Sequence, residues 1–440
     1  MPRTTRAPDE ELGIEAPPPG RVGVDAVTLL TVLLAVRLVL PSQFVLSPLG
    51  GAGAPATILG IALLGYWFWQ RLLRVVPGQA AWVNTAALSY VGIVLASMAV
   101  ASIRPVAADE LNLSTLSFLT LAGWMGGLLL ASDGVSNPER LRALLVRMAF
   151  IGGGFAAFGL FQFVTKAAWV DKVTIPGLVA NNPVYSITQR DGFTRPFSTA
   201  IHPIEFGSVV AMLLPIAIVV GLAGFRSGWR RWAAWLPTLC IGLAGSLSSS
   251  RSAIIGLAIG IALLWPALSV TQRVVAAVVT GIVGVFVFVA VPGMVSTVSS
   301  LFGGLASGDT SVASRVDSFS VAADYFARNP LLGRGFGTFL PRYRIFDNQY
   351  LLGLVETGLL GFAGMVLLWV VPMLGVARVT HRSPRASEQR LFGAGLLASC
   401  VVGGVGLAFF DGFGFPMMPA VWFIILGMCG AYSRLAATSS

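Results

Sequence analysis

Long apolar runs, each of about 20 residues, fill most of the chain and are separated by shorter polar stretches. This length carries a helix across the hydrocarbon core of a bilayer. The pattern therefore predicts an all-α polytopic membrane protein with a single transmembrane domain over residues 23–433. Twelve runs are predicted to be transmembrane helices, near residues 24–40, 56–72, 82–100, 113–131, 144–164, 206–224, 233–249, 252–268, 273–291, 348–371, 391–410 and 416–433.

Composition supports this prediction and narrows the chemistry. Of 440 residues, 55% are hydrophobic and 11% are charged. The formal net charge of +10 comes almost wholly from arginine. Because no soluble basic domain presents these charges, nucleic acid is not predicted as a partner, whereas membrane lipids and lipid-linked diphosphates are. The three cysteines lie inside apolar runs and there are only two histidines, so neither a metal site nor a cofactor is predicted.

The distribution of arginine predicts an orientation in the membrane. The polar, proline-rich residues 1–22 lack the apolar core of a signal peptide and are predicted to form a disordered cytoplasmic tail. Threading twelve helices from there places most short arginine-rich loops on the cytoplasmic side. The chain is thus predicted to lie in the cytoplasmic (inner) membrane, with a second cytoplasmic tail at 434–440. Two long segments, about 165–205 and 292–347, face outward and carry short amphipathic helices.

A serine-rich turn, SLSSSRSAIIG, separates two predicted helices with almost no loop between them. Arg251 therefore lies at the outer membrane boundary, where its guanidinium fork fits a diphosphate and the Ser250 hydroxyl adds a donor. The alternative is a snorkelling arginine that closes a tight hairpin. So short a turn needs no arginine, which favours the binding role.

The stretch GFTRPFSTAIHPIEFG precedes the sixth predicted helix and contains Arg195 and His202. His202 stands just before a proline suited to a first helical turn, so it is either a simple helix-start residue or a donor or base near an acceptor sugar. Glu205 in the first turn suits the helix dipole better than catalysis. Arg37, within TLLTVLLAVRLVLP, requires either an ion pair or a lipid phosphate.

The densest polar chemistry lies between residues 314 and 361. Residues 314–328 have the spacing of an amphipathic helix on the membrane surface. In NPLLGRGFGTF, which follows, glycines permit backbone N–H groups to approach an anion. The cations of this region, all predicted to bind substrate, are Arg315, Arg334, Arg342 and Arg344.

Asp347 and Asn348 open the tenth predicted helix. Asp347 is either the N-cap of that helix or a general base held among arginines. Asn348 and Tyr350 are predicted to contact substrate beside it. Glu356, about two turns further on, is predicted to be a buried acid paired within the bundle.

The strip NPLLGRGFGTF followed by DNQYLLGLVETGLLG closely resembles the signature of the O-antigen ligase and O-antigen polymerase superfamily. Those proteins carry an N-P-x-x-G-x-G-x-x-x-F strip, a long extracytoplasmic loop, and H-N-x-x-L-x-x-x-x-E-x-G at the next helix start. SSSRSAIIGL resembles the family's arginine-bearing turn, and RPFSTAIHPIEFG its upstream segment. The resemblance covers roughly residues 190–410.

This resemblance implies a GT-C-like, metal-independent glycosyltransferase. Such enzymes move a glycan from a polyprenyl diphosphate carrier to an acceptor glycan or glycolipid on the outer face of the cytoplasmic membrane, and a single displacement inverts the anomeric centre. Carried over to this chain, Arg251 and Arg195 bind the diphosphate, Arg315 is a further contact, and Asp347 lies beside the acceptor hydroxyl. The family's ligases usually place His at the Asp347 position, which favours a polymerase-like or divergent member or makes His202 the base.

Two other functions stay open. Twelve helices are common among secondary transporters, so the chain is alternatively a transporter or flippase of a lipid-linked glycan or small solute. Its charges gather at the outer surface rather than at the bilayer midplane, with Arg37 the main exception, which favours the transferase. A non-catalytic partner of polysaccharide assembly machinery is the third interpretation, if Asp347 is a degenerate base.

Overall fold

The computed structural model describes residues 25–73, 81–181, 188–190, 193–224, 228–248, 250–290, 310–384 and 387–438. The predicted tail at 1–22 lies outside these ranges. Helices dominate the described part of the chain. Their bounds are α1 Ala26–Val39, α2 Pro55–Leu72, α3 Ala81–Ala101, α4 Ala108–Gly134, α5 Pro138–Thr165, α6 Pro203–Ala223, α7 Trp229–Ala233, α8 Leu236–Leu247, α9 Arg251–Leu264, α10 Val270–Ala290, α11 Thr310–Arg328, α12 Gln349–Arg382, α13 Glu388–Gly406 and α14 Met417–Thr438.

Two small antiparallel pairs of strands accompany the helices. Strand β1 (Phe44–Leu46) pairs with β2 (Leu178–Ala180), and β3 (Thr188–Arg190) pairs with β4 (Phe193–Arg195). Each strand has three residues. They order the connections at one end of the helix bundle and form no layer of their own.

Each of the twelve predicted segments contains a helix. In the described residues, seven helices are long and apolar enough to cross a membrane, and an eighth span results if the bent pair Ser47–Gly53 and Pro55–Leu72 is one. Helices α8 and α9 have 12 and 14 residues, about 18 and 21 Å long, which is less than the roughly 30 Å hydrocarbon core. The all-α membrane class is confirmed, while twelve complete crossings and the GT-C-like assignment stay predictions.

Helices α6 and α14 form the centre of the bundle. In their apolar 18-residue stretches, 83% and 78% of the residues are buried. Neighbouring helices approach very closely where both carry glycine. A Cβ atom at Gly126 of α4 would lie 2.0 Å from the carbonyl oxygen of Gly60 in α2. Such contacts replace side-chain volume with direct backbone packing, which is the usual solution inside a membrane.

Helices α8 and α9 form a hairpin against α6. A Cβ atom at Gly207, near the start of α6, would lie 2.8 Å from Ala253 Cβ, and one at Gly260 would lie 3.0 Å from Pro215 further down α6. Helix α9 therefore runs beside α6 in the same direction. The turn that precedes Arg251 is consequently level with His202, and we call this the site end of the bundle.

The opposite end of the bundle has its own polar network. The Asp133 carboxylate of α4 accepts hydrogen bonds from Trp67 Nε1 at 3.0 Å and Asn84 Nδ2 at 2.9 Å, and Arg71 Nη2 lies 3.0 Å from it. Arg434 donates to the carbonyl oxygens of Ser132, Asp133 and Val135, which closes the C-terminus of α4. These contacts join α2, α3, α4 and α14 at a distance from the site end.

Candidate functional site

A buried amide holds the turn that carries Arg195. Gln162 of α5 is fully buried. Its Oε1 accepts a hydrogen bond from the Ser198 amide at 2.7 Å, and its Nε2 donates to the Ser198 carbonyl at 2.9 Å. Ser198 has φ +55, and its hydroxyl donates to Phe155 of α5 at 2.7 Å. These hydrogen bonds attach the turn to α5. Arg195 lies three residues before Ser198, at the site end, and is 8% exposed.

His202 is the N-cap of α6. Its Nδ1 accepts a hydrogen bond of 3.1 Å from the Ile204 amide. Burial, and then the charge of Arg195, lower the pKa of His202 below its ordinary value. The ring is therefore neutral at pH 7, and since Nδ1 is the acceptor, Nε2 carries the proton. His202 is thus the helix-start residue, and Nε2 is the ring nitrogen left to contact another group.

Glu205 is fully buried one turn into α6. Its Oε2 accepts from the Ile201 amide at 3.2 Å, and its Oε1 accepts from the Met417 amide at the start of α14 at 2.5 Å. Arg37 is its electrostatic partner. Arg37 stands in the last turn of α1, at the site end rather than at the middle of a span. The Arg37 guanidinium makes no ion pair within 4.0 Å in the described part of the chain, and its Nη2 donates to Thr57 of α2 at 3.4 Å, so both predicted roles stay predictions.

The turn before α12 presents Asp347 to solvent. Asp347 is exposed and has φ +51, a left-handed conformation that aspartate tolerates better than most residues. The N-cap is Asn348 rather than Asp347, because an N-cap needs extended backbone and Asn348 has φ −158, so the N-cap alternative for Asp347 is wrong. Its Oδ1 accepts from the Tyr350 amide at 2.9 Å and the Leu351 amide at 3.3 Å.

The connection between α13 and α14, residues 407–416, contacts both the turn of Asp347 and the turn of His202. The Asn348 amide donates to Asp411 Oδ1 at 2.8 Å, and the Phe413 amide donates to Gln349 Oε1 at 2.8 Å. At its other end, the ring of Phe415 lies 6.1 Å from the ring of His202. Burial, and then the neighbouring Asp347, raise the pKa of Asp411. One connection therefore contacts both His202 and the turn of Asp347.

The sequence analysis missed this connection. Its signal is the stretch FFDGFGFP, an acid among glycines and aromatics between two apolar runs. Asp411 lies at the same predicted end of the bundle as Asp347. The signal that identifies Asp411 is therefore an acid at the predicted outer end of a helix.

Arg251 is the first residue of α9. It is half-buried and makes no hydrogen bond or ion pair with any residue that the structure describes. The hydroxyls of Ser250 and Ser252 beside it lie 2.8 Å apart. A small cleft opens beside Ser252, between α6, α9, α13 and α14. Its lining includes Ser208, Ser252, Gly406, Phe409 and Met418.

The other predicted cations form a second group at the site end. Arg334 Nη2 lies 2.5 Å from Glu110 Oε1, and Tyr343 donates to the same oxygen at 2.5 Å. Arg342 pairs with Asp109. Arg344 Nη1 lies 2.7 Å from Asp317. These arginines are already engaged with acids, unlike Arg251.

Arg315 and Tyr350 are the two remaining residues that the sequence predicts to contact substrate. Arg315 is part of α11, and its side chain lies outside the described part of the structure. The Tyr350 hydroxyl donates to the Gly404 carbonyl of α13 at 2.6 Å. Tyr350 therefore spans two helices, and substrate contact by either residue stays a prediction.

The glycine-rich strip fills a break in α12. Gly358 has φ +64 and ψ −165, so the helix is interrupted there. The strip accepts hydrogen bonds from the Leu359 and Leu360 amides, at 2.8 and 3.2 Å. In return, the Arg334 and Gly335 amides donate to the carbonyls before the break, at 2.9 and 2.8 Å.

The acceptor that this strip approaches is an internal carboxyl group. Glu356 is 5% exposed, and its Oε1 accepts from the Phe339 amide at 3.2 Å. The buried acid predicted at Glu356 is confirmed, and its partners are main-chain amides of the strip. The two halves of the motif, residues 329–339 and 355–360, therefore bind each other.

Comparison with known protein families finds one match in this part of the chain. Residues 236–366 match the family model described as O-antigen ligase. This segment includes the Arg251 turn, the glycine-rich strip and the start of α12. No curated protein matches the chain. The match confirms the resemblance predicted from the motifs: residues 236–366 are similar to the O-antigen ligase family.

Proposed function

We propose that the protein transfers a glycan from a polyprenyl diphosphate carrier to an acceptor glycan or glycolipid at the outer face of the cytoplasmic membrane. The family match supports a membrane glycan ligase or polymerase in general. The carrier, the inverted stereochemistry, the independence of metal and the outward orientation belong to the proposal.

One observation carries the proposal. Residues 407–416 contact both the His202 turn and the Asp347 turn, and the cleft beside Ser252 borders the same connection at Phe409. Cations, a neutral donor and a carboxylate from distant parts of the sequence thus share one end of the bundle. A transferase requires these three kinds of group.

In the proposed mechanism, Arg251 and Arg195 bind the diphosphate and stabilise the charge that develops on it as it leaves. Asp347 accepts the proton of the acceptor hydroxyl as that oxygen attacks the anomeric carbon from the opposite face. The bond between the anomeric carbon and the diphosphate oxygen breaks as the new glycosidic bond forms, so the configuration inverts. His202 donates from Nε2 to a substrate oxygen, because its Nδ1 already accepts from Ile204.

The direct test uses purified protein in proteoliposomes with a polyprenyl-diphosphate-linked oligosaccharide and a glycolipid acceptor. We expect a longer glycan on the acceptor, release of polyprenyl diphosphate and inverted linkage by NMR. Retention of configuration contradicts single displacement. Movement of the donor across the bilayer without a new glycosidic bond contradicts a transferase and supports the flippase.

A deletion strain separates the two kinds of transfer. Mass spectrometry of lipid-linked intermediates reports what accumulates without the protein. Full-length chains on the carrier indicate a ligase, and single repeat units indicate a polymerase. Because Asp347 stands where the family's ligases usually have His, we expect single repeat units.

A further inference from the structure

Two buried side chains of opposite charge, Arg37 and Glu205, lie at the site end, interact electrostatically and take no part in the proposed chemistry. Arg37 is 5% exposed and Glu205 is fully buried. The Nη2 atom of Arg37 donates to Thr57 of α2 at 3.4 Å, a long hydrogen bond. Its Nε has no hydrogen-bond partner in the part of the chain that the structure describes.

Two charges buried this deeply are expensive to remove from water. Each makes the other tolerable, and loss of one leaves an uncompensated charge inside the bundle. A pair of this kind is weak evidence for stability. The role of Glu205 in this chain follows from the two main-chain amides that donate hydrogen bonds to it.

Glu205 divides its two oxygens between the two sides of the site. Oε2 accepts from Ile201, the residue before His202, at 3.2 Å. Oε1 accepts from Met417, just after the connection 407–416, at 2.5 Å. One carboxylate therefore sets the spacing between His202 and the connection that holds the Asp347 turn.

We propose that Glu205, balanced by Arg37, is a positioning residue that holds the two halves of the site at their working separation. This inference rests on the proposed transferase function. A glutamine at position 205 keeps one acceptor oxygen but replaces the other by an NH₂ group, which cannot accept from an amide. It also leaves Arg37 without its counter-charge.

The test compares E205Q, R37Q and R37Q/E205Q with wild type in the proteoliposome transfer assay. We expect E205Q to lower kcat at least tenfold and to change KM for the carrier-linked donor less than twofold, because Glu205 holds catalytic groups and does not touch the donor. Removing both charges relieves the uncompensated arginine. R37Q/E205Q is therefore expected to recover at least threefold in kcat over E205Q.

Asp133→Asn is the matched control, since it alters a buried acid with several partners at the opposite end of the bundle. D133N is expected to lower Tm and to keep kcat in the folded fraction. Full kcat in E205Q, no recovery in the double variant, or a loss of kcat in D133N equal to that in E205Q overturns the positioning role. If E205Q cannot be extracted folded, R37Q/E205Q is compared with wild type directly, and unchanged kcat overturns the role.

Hydrogen exchange separates failure of this inference from failure of the proposed function. In E205Q, peptides containing the Ile201 and Met417 amides are expected to exchange at least tenfold faster, while those around Asp133 stay unchanged. Unchanged exchange at Ile201 and Met417 overturns the positioning role even if transfer occurs. Wild-type protein without transfer activity overturns the proposed function. The exchange of the Ile201 and Met417 amides in E205Q then still tests whether Glu205 holds these two segments.

Discussion

The Asn348 amide donates a hydrogen bond of 2.8 Å to Asp411, and this bond attaches the turn of Asp347 to the connection between α13 and α14. The amides of Asp347 and Phe346 also interact with the Asp411 carboxylate. One acid thus accepts a hydrogen bond from this turn and interacts with the two amides before it. Asp347 keeps its left-handed conformation, φ +51, while Asp411 anchors its neighbours.

Replacement of Asp411 is expected to loosen this turn. We expect D411A to lower kcat at least tenfold, because the Asn348 amide loses its acceptor. D411N keeps one acceptor oxygen and is expected to lose less. Transfer rates in proteoliposomes check this prediction, and D171N, which alters an exposed acid in a separate loop, is the control. D411A with wild-type kcat contradicts the anchoring role.

Arg251→Ala is expected to abolish glycan transfer, a loss of at least 100-fold in rate. The Tm is expected to stay within about 2 °C of wild type, because Arg251 has no hydrogen bond or ion pair among the described residues. R251K keeps the charge but lacks the bidentate fork, so an intermediate rate is expected. Full activity of R251A refutes the diphosphate assignment, and R273A, which alters a half-buried arginine at the start of α10, is the control.

His202 is expected to make the protein less stable as the pH falls. Its pKa is lowered in the folded state, by burial first and then by Arg195. At pH values between that lowered pKa and the ordinary value of about 6.5, His202 is protonated in the unfolded chain and neutral in the folded protein. Stability therefore falls as the pH decreases from about 6.5 through this window, and it does not change above the window on account of this group.

His202→Asn isolates this contribution. Asparagine is a good N-cap, so α6 keeps its first hydrogen bond while the titrating ring is lost. Thermal unfolding at pH 7 and pH 5 is expected to show a smaller drop in Tm for H202N than for wild type. An equal drop in both proteins contradicts the lowered pKa. H202N is also expected to transfer glycan more slowly, because the Nε2 donor is gone.

Gly358→Ala is expected to destabilise the protein strongly. Gly358 has φ +64, and a Cβ atom there would lie 2.4 Å from the main chain of Leu331. Both the strained backbone and the displaced strip cost free energy, together about 2–4 kcal/mol. Thermal unfolding in detergent checks the loss. Gly92 of α3 has open space around its Cβ position, so G92A is expected to be neutral or slightly stabilising.

Local sequence pattern determined the membrane class and the helices. A run of apolar residues is helical in a bilayer whatever surrounds it, because its main-chain groups must bond to each other. Each of the twelve predicted segments therefore contains a helix. The last helix extends to Thr438, past the predicted end at 433, since helix ends depend on local contacts.

The motif predicted the family but only part of its own chemistry. The glycines of 333–337 were expected to approach an anion, and what the strip contacts is the protein's own Glu356 carboxyl group, 17 residues from its Phe339 donor. Likewise, Arg334 and Arg342 meet acids of α4 more than 220 residues away in sequence. Sequence spacing does not reveal such pairs, because they exist only once the helices have packed.

The tertiary structure decided how the site is assembled. Asp411 and Gln162 looked unremarkable in sequence, yet one anchors the Asp347 turn and the other fixes the turn after Arg195. Local pattern supplies helices and the residue types at their ends. Which ends meet depends on long-range packing of apolar surfaces that resemble one another, and that packing brought His202, Asp411 and Asp347 to one connection.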